Sequence, residues 1–217
     1  MDISTGMRLY DSDRQRLYIN AEERRRLLAA SVRFLPVVRS LCLVLTYTGC
    51  RISEALRLQR QHFDLDAMVV SVPTLKRRSV FVMREVPIPE NVMLEIASIH
   101  LFSRQSAIGH ADYLWHENNG LPINRSTAYR HIKSVMLSAG IKGVHASPKG
   151  LRHGFGVQAT RARIPLHMVQ KWMGHSSMAT TSIYATVAGP EERELANAMW
   201  LHGALDIDQK AFNSSQP

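Results

Sequence analysis

At 217 residues the chain can bury a sizeable core, and one domain with a tail is a more economical reading than two full domains. Its 27 Lys plus Arg against 18 Asp plus Glu leave a formal charge of +9, which favours nucleic acid or an anionic surface as partner without choosing between them. No stretch is apolar for long enough to cross a bilayer, and the opening MDISTGMRLYDSDRQR lacks the apolar core of a signal peptide, so the expectation is a soluble, cytoplasmic protein with no membrane partner. Cys42 and Cys50 lie in or beside one apolar helical segment and read as small core residues, not a bridge.

Asn20 with Glu23 predicts a capping box opening a helix, with Leu27, Leu28 and Ala30 toward a core and Arg24, Arg25 and Arg26 in water. From Pro36 the run VVRSLCLVLTYTG predicts a buried helix closed near Gly49. RISEALRL begins another, with Ile52, Ala55 and Leu56 inward. Arg51 therefore stands at a junction between helices, and Glu54, three residues on, can share its face.

Period-two character follows. Met68 to Val72 form one strand and VFVMREVPIP at least one more, joined by the polar TLKRRS as a hairpin or exposed connection; Pro87 and Pro89 argue for a sheet edge. From Glu90 the pattern returns to helix, with Met93, Ile96 and Ala97 on one face, and residues 103–122 read as loops. A helix from about Ser126 to Ala139 would present Tyr129, Ile132 and Met136 as an apolar stripe and end at Gly140.

Ser147 followed by Pro148 starts a helix that sets Lys149 and Arg152 one turn apart, where both can reach the same anion. Pro165 starts a short helix packing Leu166, Val169 and Trp172, which Gly174 ends before His175. Ser177 caps the next, which leads to Tyr184. PEERELANAMWLHGAL, after Gly189 and Pro190, reads as a separate amphipathic helix, and the tail NSSQP should fray. The fold class is mainly α with a small antiparallel β-sheet. It divides into an N-terminal extension at 1–19, a core at 20–189 that holds the candidate catalytic residues, and a C-terminal helix and tail at 190–217.

Arginines, a histidine and a tyrosine are suited to a phosphodiester. Arg51 and Arg152 would form a permanently positive, multidonor clamp on the nonbridging oxygens, which gain charge under attack, while Tyr184 attacks phosphorus in line. That chemistry requires neither metal nor other cofactor. Taken singly, each residue has a plainer explanation: a helix-end salt bridge for Arg51, packing for Tyr184, a loop cap for His175 and a solvated hairpin for Lys76. The ordered set is what favours catalysis.

TGCRISEAL, KGLRH and GHSSMATTSIY, in this order, resemble the catalytic domain of the tyrosine recombinases, also called the phage integrase family. The resemblance implies that family's catalytic-domain fold, Arg51 as the early arginine with Glu54 at the acidic position, Arg152 as the second arginine, His175 in the GH segment and Tyr184 as nucleophile. It implies a 3′-phosphotyrosine intermediate, a free 5′ hydroxyl, and rejoining by attack of a partner-strand hydroxyl. Lys76 is the candidate for the family's hairpin lysine, which protonates the departing oxygen, with Arg77 and Arg78 placing phosphates or competing for that assignment.

The chain departs from the family's HxxR at its first position, which is Lys149. A free lysine titrates at about 10.4 and is a poor base at neutral pH, so an electrostatic role fits it better. His145 and His153 are the two candidates to replace the missing histidine, with His153 favoured for proximity.

The implied function is site-specific DNA strand cleavage and rejoining, as in integration, excision or resolution, by a DNA-associated and prokaryotic enzyme. The implied partners are double-stranded DNA and further copies of the chain on paired sites. Only 19 residues precede Asn20, so a naturally short recombinase or a catalytic fragment is expected, with a separate DNA-clasping domain or accessory protein completing the grip. The alternatives are relaxation of DNA in the manner of a type IB topoisomerase and a noncatalytic DNA-binding module, which would not need Tyr184 to converge with the arginines.

Overall fold

The computed structural model describes residues 8–74, 82–102 and 113–185. Asn20 accepts from the Glu23 amide while the Glu23 carboxylate accepts from the Asn20 amide, a reciprocal cap that starts α1 (Ala21–Ser31). Pro36 opens α2 (Pro36–Thr48), whose side chains are buried almost all round, and Gly49 ends it in the left-handed region at φ 60°. A Cβ at Gly49 would lie 2.5 Å from the Phe155 ring, so the turn demands glycine on conformational and steric grounds alike. Arg51 is the N-cap of the single-turn α3 (Ile52–Ala55), much shorter than RISEALRL suggested.

The chain then builds a three-stranded antiparallel sheet in the order β1 (Phe63–Asp64), β2 (Val69–Thr74), β3 (Val82–Pro87). The short β1 was not foreseen. In the β2–β3 register Val70 faces Val86 and Val72 faces Arg84, so all four side chains belong to the buried face. β3 is an edge of the sheet, as Pro87 and Pro89 suggested.

Helices α4 (Glu90–Ile99), α5 (Arg125–Ser138), α6 (Pro148–Arg161), α7 (Leu166–Met173) and α8 (Met178–Ser182) follow. Helix α2 is the hub, packing against α1, α4, α5 and α6, and its Leu41, Cys42, Val44 and Leu45 join one core with Leu27, Met93, Ile96, Ile132 and Met136. The stripe of α5 is Ala128, Ile132, Val135 and Met136; Tyr129, expected within it, is 40% exposed because the spacing phases Ala128 inward in its place.

Residues before α1 also belong to the packing: Leu9, Tyr18 and Ile19 are buried, and the Ile19 amide donates to the Gly150 carbonyl of α6 at 3.0 Å. Both cysteines are free and buried, with thiols pushed up by burial to about 12 for Cys42 and about 11 for Cys50. Among the described residues no helix is long and apolar enough to cross a membrane. The expected helix after Pro190 and the tail lie outside the described residues.

Candidate active site

Four elements meet around the ends of α2 and α6. At the α2–α3 junction the Glu54 carboxylate, fully buried, accepts from the Arg51 amide at 2.9 Å and from Arg51 Nη1 at 2.7 Å. Oε1 takes the Arg51 guanidinium, while Oε2, which takes the Arg51 amide, also accepts from Arg84 Nη2 at 2.6 Å. Burial alone would raise the Glu54 carboxyl; the Arg84 charge and the Arg51 amide override it and hold it below the usual carboxylate range. The Arg51 side chain keeps 28% of its surface exposed and so remains reachable from solution.

Arg84 was not foreseen as a functional residue. Its Nε donates to the Trp172 carbonyl at 2.8 Å and Nη1 to Thr74 Oγ1 at 3.1 Å, so one buried guanidinium joins β2, β3, α3 and α7. The signal was in the sequence: in VMREVP, Arg84 lies two residues before Val86 and shares its inward phase. An arginine in that phase needs buried acceptors.

Ser147 caps α6 by accepting from the Gly150 amide, and the helix buries Arg152. Arg152 Nη1 donates to the Gly49 carbonyl and Nη2 to the Met173 carbonyl, each at 2.7 Å, fixing the guanidinium between the end of α2 and the end of α7. Burial and the charge of Arg51 lower its pKa to about 10, which still leaves it a cation at neutral pH. Lys149, one turn earlier, is exposed where Arg152 is buried. The Lys149 charge still reaches the site, as the largest contribution after burial to lowering the His153 pKa.

Gly174 ends α7, and His175 turns inward, where its Nδ1 lies 2.9 Å from Thr181 Oγ1 of α8. Ser177 caps α8 by accepting from the Ala179 amide, and the chain then delivers Tyr184 into the interior. The phenolic oxygen lies 3.2 Å from His153 Nδ1, and the His175 ring lies parallel to the phenol with centroids 6.2 Å apart. Gly156 makes room for it: a Cβ there would lie 2.5 Å from Tyr184 Cζ.

Burial raises the Tyr184 phenol above its ordinary value, against the pull of the Arg152 and Arg51 charges. Burial with neighbouring cations lowers His153 to about 4 and His175 to about 3, so both rings are neutral at pH 7. Nε2 of each is buried with no hydrogen-bond partner among the described residues.

The structure thus brings together Arg51, Glu54, Arg152, His153, His175 and Tyr184, adds Arg84 and Thr181, and leaves Lys149 at the surface. His145 is occupied elsewhere: its Nε2 lies 2.9 Å from Glu23 Oε1, beside the Arg16–Glu23 ion pair. Of the two candidate histidines, only His153 touches the tyrosine. Lys76, Arg77 and Arg78 lie outside the described residues. No cluster of His, Cys, Asp and Glu suited to a metal ion occurs among the described residues.

The chain is 32% identical over 154 residues to the tyrosine recombinase XerD of Yersinia pestis, a match spanning 70% of this chain and 50% of that protein. It is 30% identical over 152 residues to XerD of Vibrio cholerae serotype O1, spanning 69% and 49%. It therefore spans about half the length of these curated relatives. Among solved structures, XerA recombinase superposes with a TM-score of 0.70 at 28% identity, covering 84% of this chain and 65% of the other. XerH site-specific recombinase bound to its difH substrate gives 0.69 at 21% identity over 88% and 59%, a likeness of fold. The model of the phage integrase family matches residues 17–190, which include every residue of the cluster described above: this chain belongs to the phage integrase family.

Proposed function

We propose that this chain cleaves and rejoins duplex DNA at specific sites through a covalent phosphotyrosine on Tyr184, the chemistry of integration, excision or resolution. The observation that carries the reading is the placing of the Tyr184 phenol against His153 and His175, within the field of Arg51 and Arg152. A noncatalytic DNA-binding module would have no use for a buried phenol among cations.

In the proposed step the Tyr184 oxygen bonds to phosphorus as the bond from phosphorus to the 5′ oxygen breaks, leaving a 3′-phosphotyrosine and a 5′ hydroxyl. Arg51, with exposed donors, and the buried Arg152 stabilise charge on the nonbridging oxygens, and His175 Nε2, lacking a partner, supplies a further contact to one of them. The phenol proton passes to His153 Nδ1, which accepts it when the ring carries its own proton on Nε2. The phenol lies above its ordinary value of 10.0 and His153 at about 4. Full transfer ahead of attack is thus strongly uphill, so the proton moves as the oxygen–phosphorus bond forms.

The 5′ oxygen takes its proton from Lys76, assigned on the family resemblance. Because Tyr184 has no exposed surface, its covering must open as the duplex binds, while the phenol keeps its seat against His153 and Gly156. Rejoining reverses the step with a 5′ hydroxyl of the partner strand as nucleophile, which requires further copies of the chain on paired sites. A separate DNA-clasping domain or accessory protein completes the grip, since phosphate contacts alone give weak and salt-sensitive binding.

The test is incubation with a nicked suicide duplex, denaturation and mass analysis. A DNA adduct on Tyr184, insensitive to chelator and absent from Tyr184→Phe, is expected. An intact duplex, or an adduct that persists in Tyr184→Phe, refutes the assignment. Affinity for the duplex across a salt series should fall steeply.

A further inference from the structure

Arg51 can serve a phosphate only if its charge is not already consumed by Glu54, 2.7 Å away. An isolated arginine–carboxylate pair is neutral and would turn its donors toward the carboxylate rather than toward the substrate. Here the carboxylate is shared: Arg84 Nη2 approaches Oε2 at 2.6 Å while Arg51 Nη1 holds Oε1. Two guanidiniums on one carboxylate leave one net positive charge. The two arginines divide it unequally, because the Arg84 side chain is 4% exposed and anchored by Trp172 and Thr74, whereas that of Arg51 is 28% exposed.

We propose that Arg84 is a positioning residue whose charge neutralises Glu54, leaving that of Arg51 available to the scissile phosphate. The inference rests on the strand-cleavage reading but adds a group that the motif segments do not contain. It also accounts for a buried carboxylate lying against a proposed anion site, where an unneutralised one would repel the phosphate.

A double-mutant cycle separates this charge role from a merely structural one. The rate of adduct formation is measured at saturating suicide duplex for the intact chain, Arg84→Met, Glu54→Gln and the double variant. Arg84→Met is expected to slow the reaction on the order of a hundredfold while Glu54 carries its charge, and less than fivefold in the Glu54→Gln background. Arg84→Lys, which keeps the charge, should lose less than Arg84→Met. Equal losses in the two backgrounds overturn the proposal.

Should Arg84→Met alone fail to melt cooperatively, the Glu54→Gln background decides: a loss above fivefold there overturns it, and a smaller one supports it. If the intact chain forms no adduct, the strand-cleavage reading fails, and binding of inorganic phosphate by calorimetry then decides the charge argument. In that assay Arg84→Met should weaken binding at least tenfold beside Glu54 and leave it unchanged in the Glu54→Gln background. Equal weakening in both refutes the proposal.

Discussion

The phenolic oxygen of Tyr184 lies 3.2 Å from Nδ1 of His153, and both side chains are buried. The family's HxxR histidine is a lysine at position 149 here, and that lysine is exposed, so the ring in contact with the proposed nucleophile is the one that follows Arg152 in sequence. His153→Gln keeps a polar side chain but cannot accept and hold the phenol proton. It is expected to slow adduct formation on the order of a hundredfold, within the usual range for a general base. Lys149→Ala should change the rate less than fivefold while lowering the salt slope of DNA binding by about one ion. Single-turnover kinetics on the suicide duplex check both; a larger rate loss from Lys149→Ala than from His153→Gln would reverse the assignment.

Gly156 and Tyr184 form a second close pair, because a Cβ at Gly156 would stand 2.5 to 2.6 Å from three atoms of the phenol ring. Helix α6 itself would favour alanine by about 1 kcal/mol, so Gly156→Ala sets a local gain against a steric clash that only movement of the tyrosine can relieve. The expected outcome is a melting temperature within a few degrees of the parent and an adduct rate at least tenfold lower at unchanged DNA affinity. A parent-like rate would mean that the phenol leaves this seat before it reacts and that the seat has no part in aiming it.

Capping boxes, proline starts and glycine stops made the helices legible, since each is a local rule written in adjacent residues: Asn20 with Glu23, Pro36 with Gly49, and Ser147 with Pro148. Arg51, Arg152, His175 and Tyr184 were legible as a set because they fall in ordered segments. Tertiary partnership was not. That Arg84 would reach Glu54 depends on the pairing of β2 with β3 and the packing of α7 over β3, which no local pattern encodes. The choice between His145 and His153 likewise turned on Glu23, distant in sequence, which occupies His145. Tyr129 was misphased because two overlapping stripes fit α5, and burial selected the one with the smaller Ala128.

Arg152 is fixed by two backbone carbonyls, Gly49 and Met173, that come from different helix ends. A lysine at this position keeps the charge but has one nitrogen, so it cannot span both acceptors and still face a phosphate. Arg152→Lys should destabilise the fold by about 1 to 3 kcal/mol, the cost of a buried acceptor left without its donor. It should also slow adduct formation on the order of a hundredfold or more. Urea unfolding and single-turnover kinetics measure the two effects separately. Full activity in Arg152→Lys would show that charge alone suffices and that the planar fork contributes nothing.

The buried histidines predict a steep acid limb of stability. Burial lowers His100 and His153 to about 4 and His175 to about 3, against an ordinary value of 6.5. Between those values and 6.5 the unfolded chain binds protons that the folded chain refuses, so stability is complete above pH 6.5 and declines as pH falls through the window. Glu23, which burial would raise but which the hydrogen bonds from Arg16, the Asn20 amide and His145 together hold at about 2, stays ionised in the folded chain and adds to the decline only at the acid end of the window, where the unfolded carboxyl takes up protons near 4.5. Each differential proton contributes about 1.4 kcal/mol per pH unit, so the three rings together give roughly 4 kcal/mol per unit at the steepest point. Urea unfolding at constant ionic strength between pH 7 and pH 4.5 should reveal this decline, and His153→Gln should remove about a third of the slope. A stability independent of pH across that range would mean that these rings are hydrated and titrate in the folded chain as they do in the unfolded one, and the neutral His153 required for proton acceptance would then lose its physical basis.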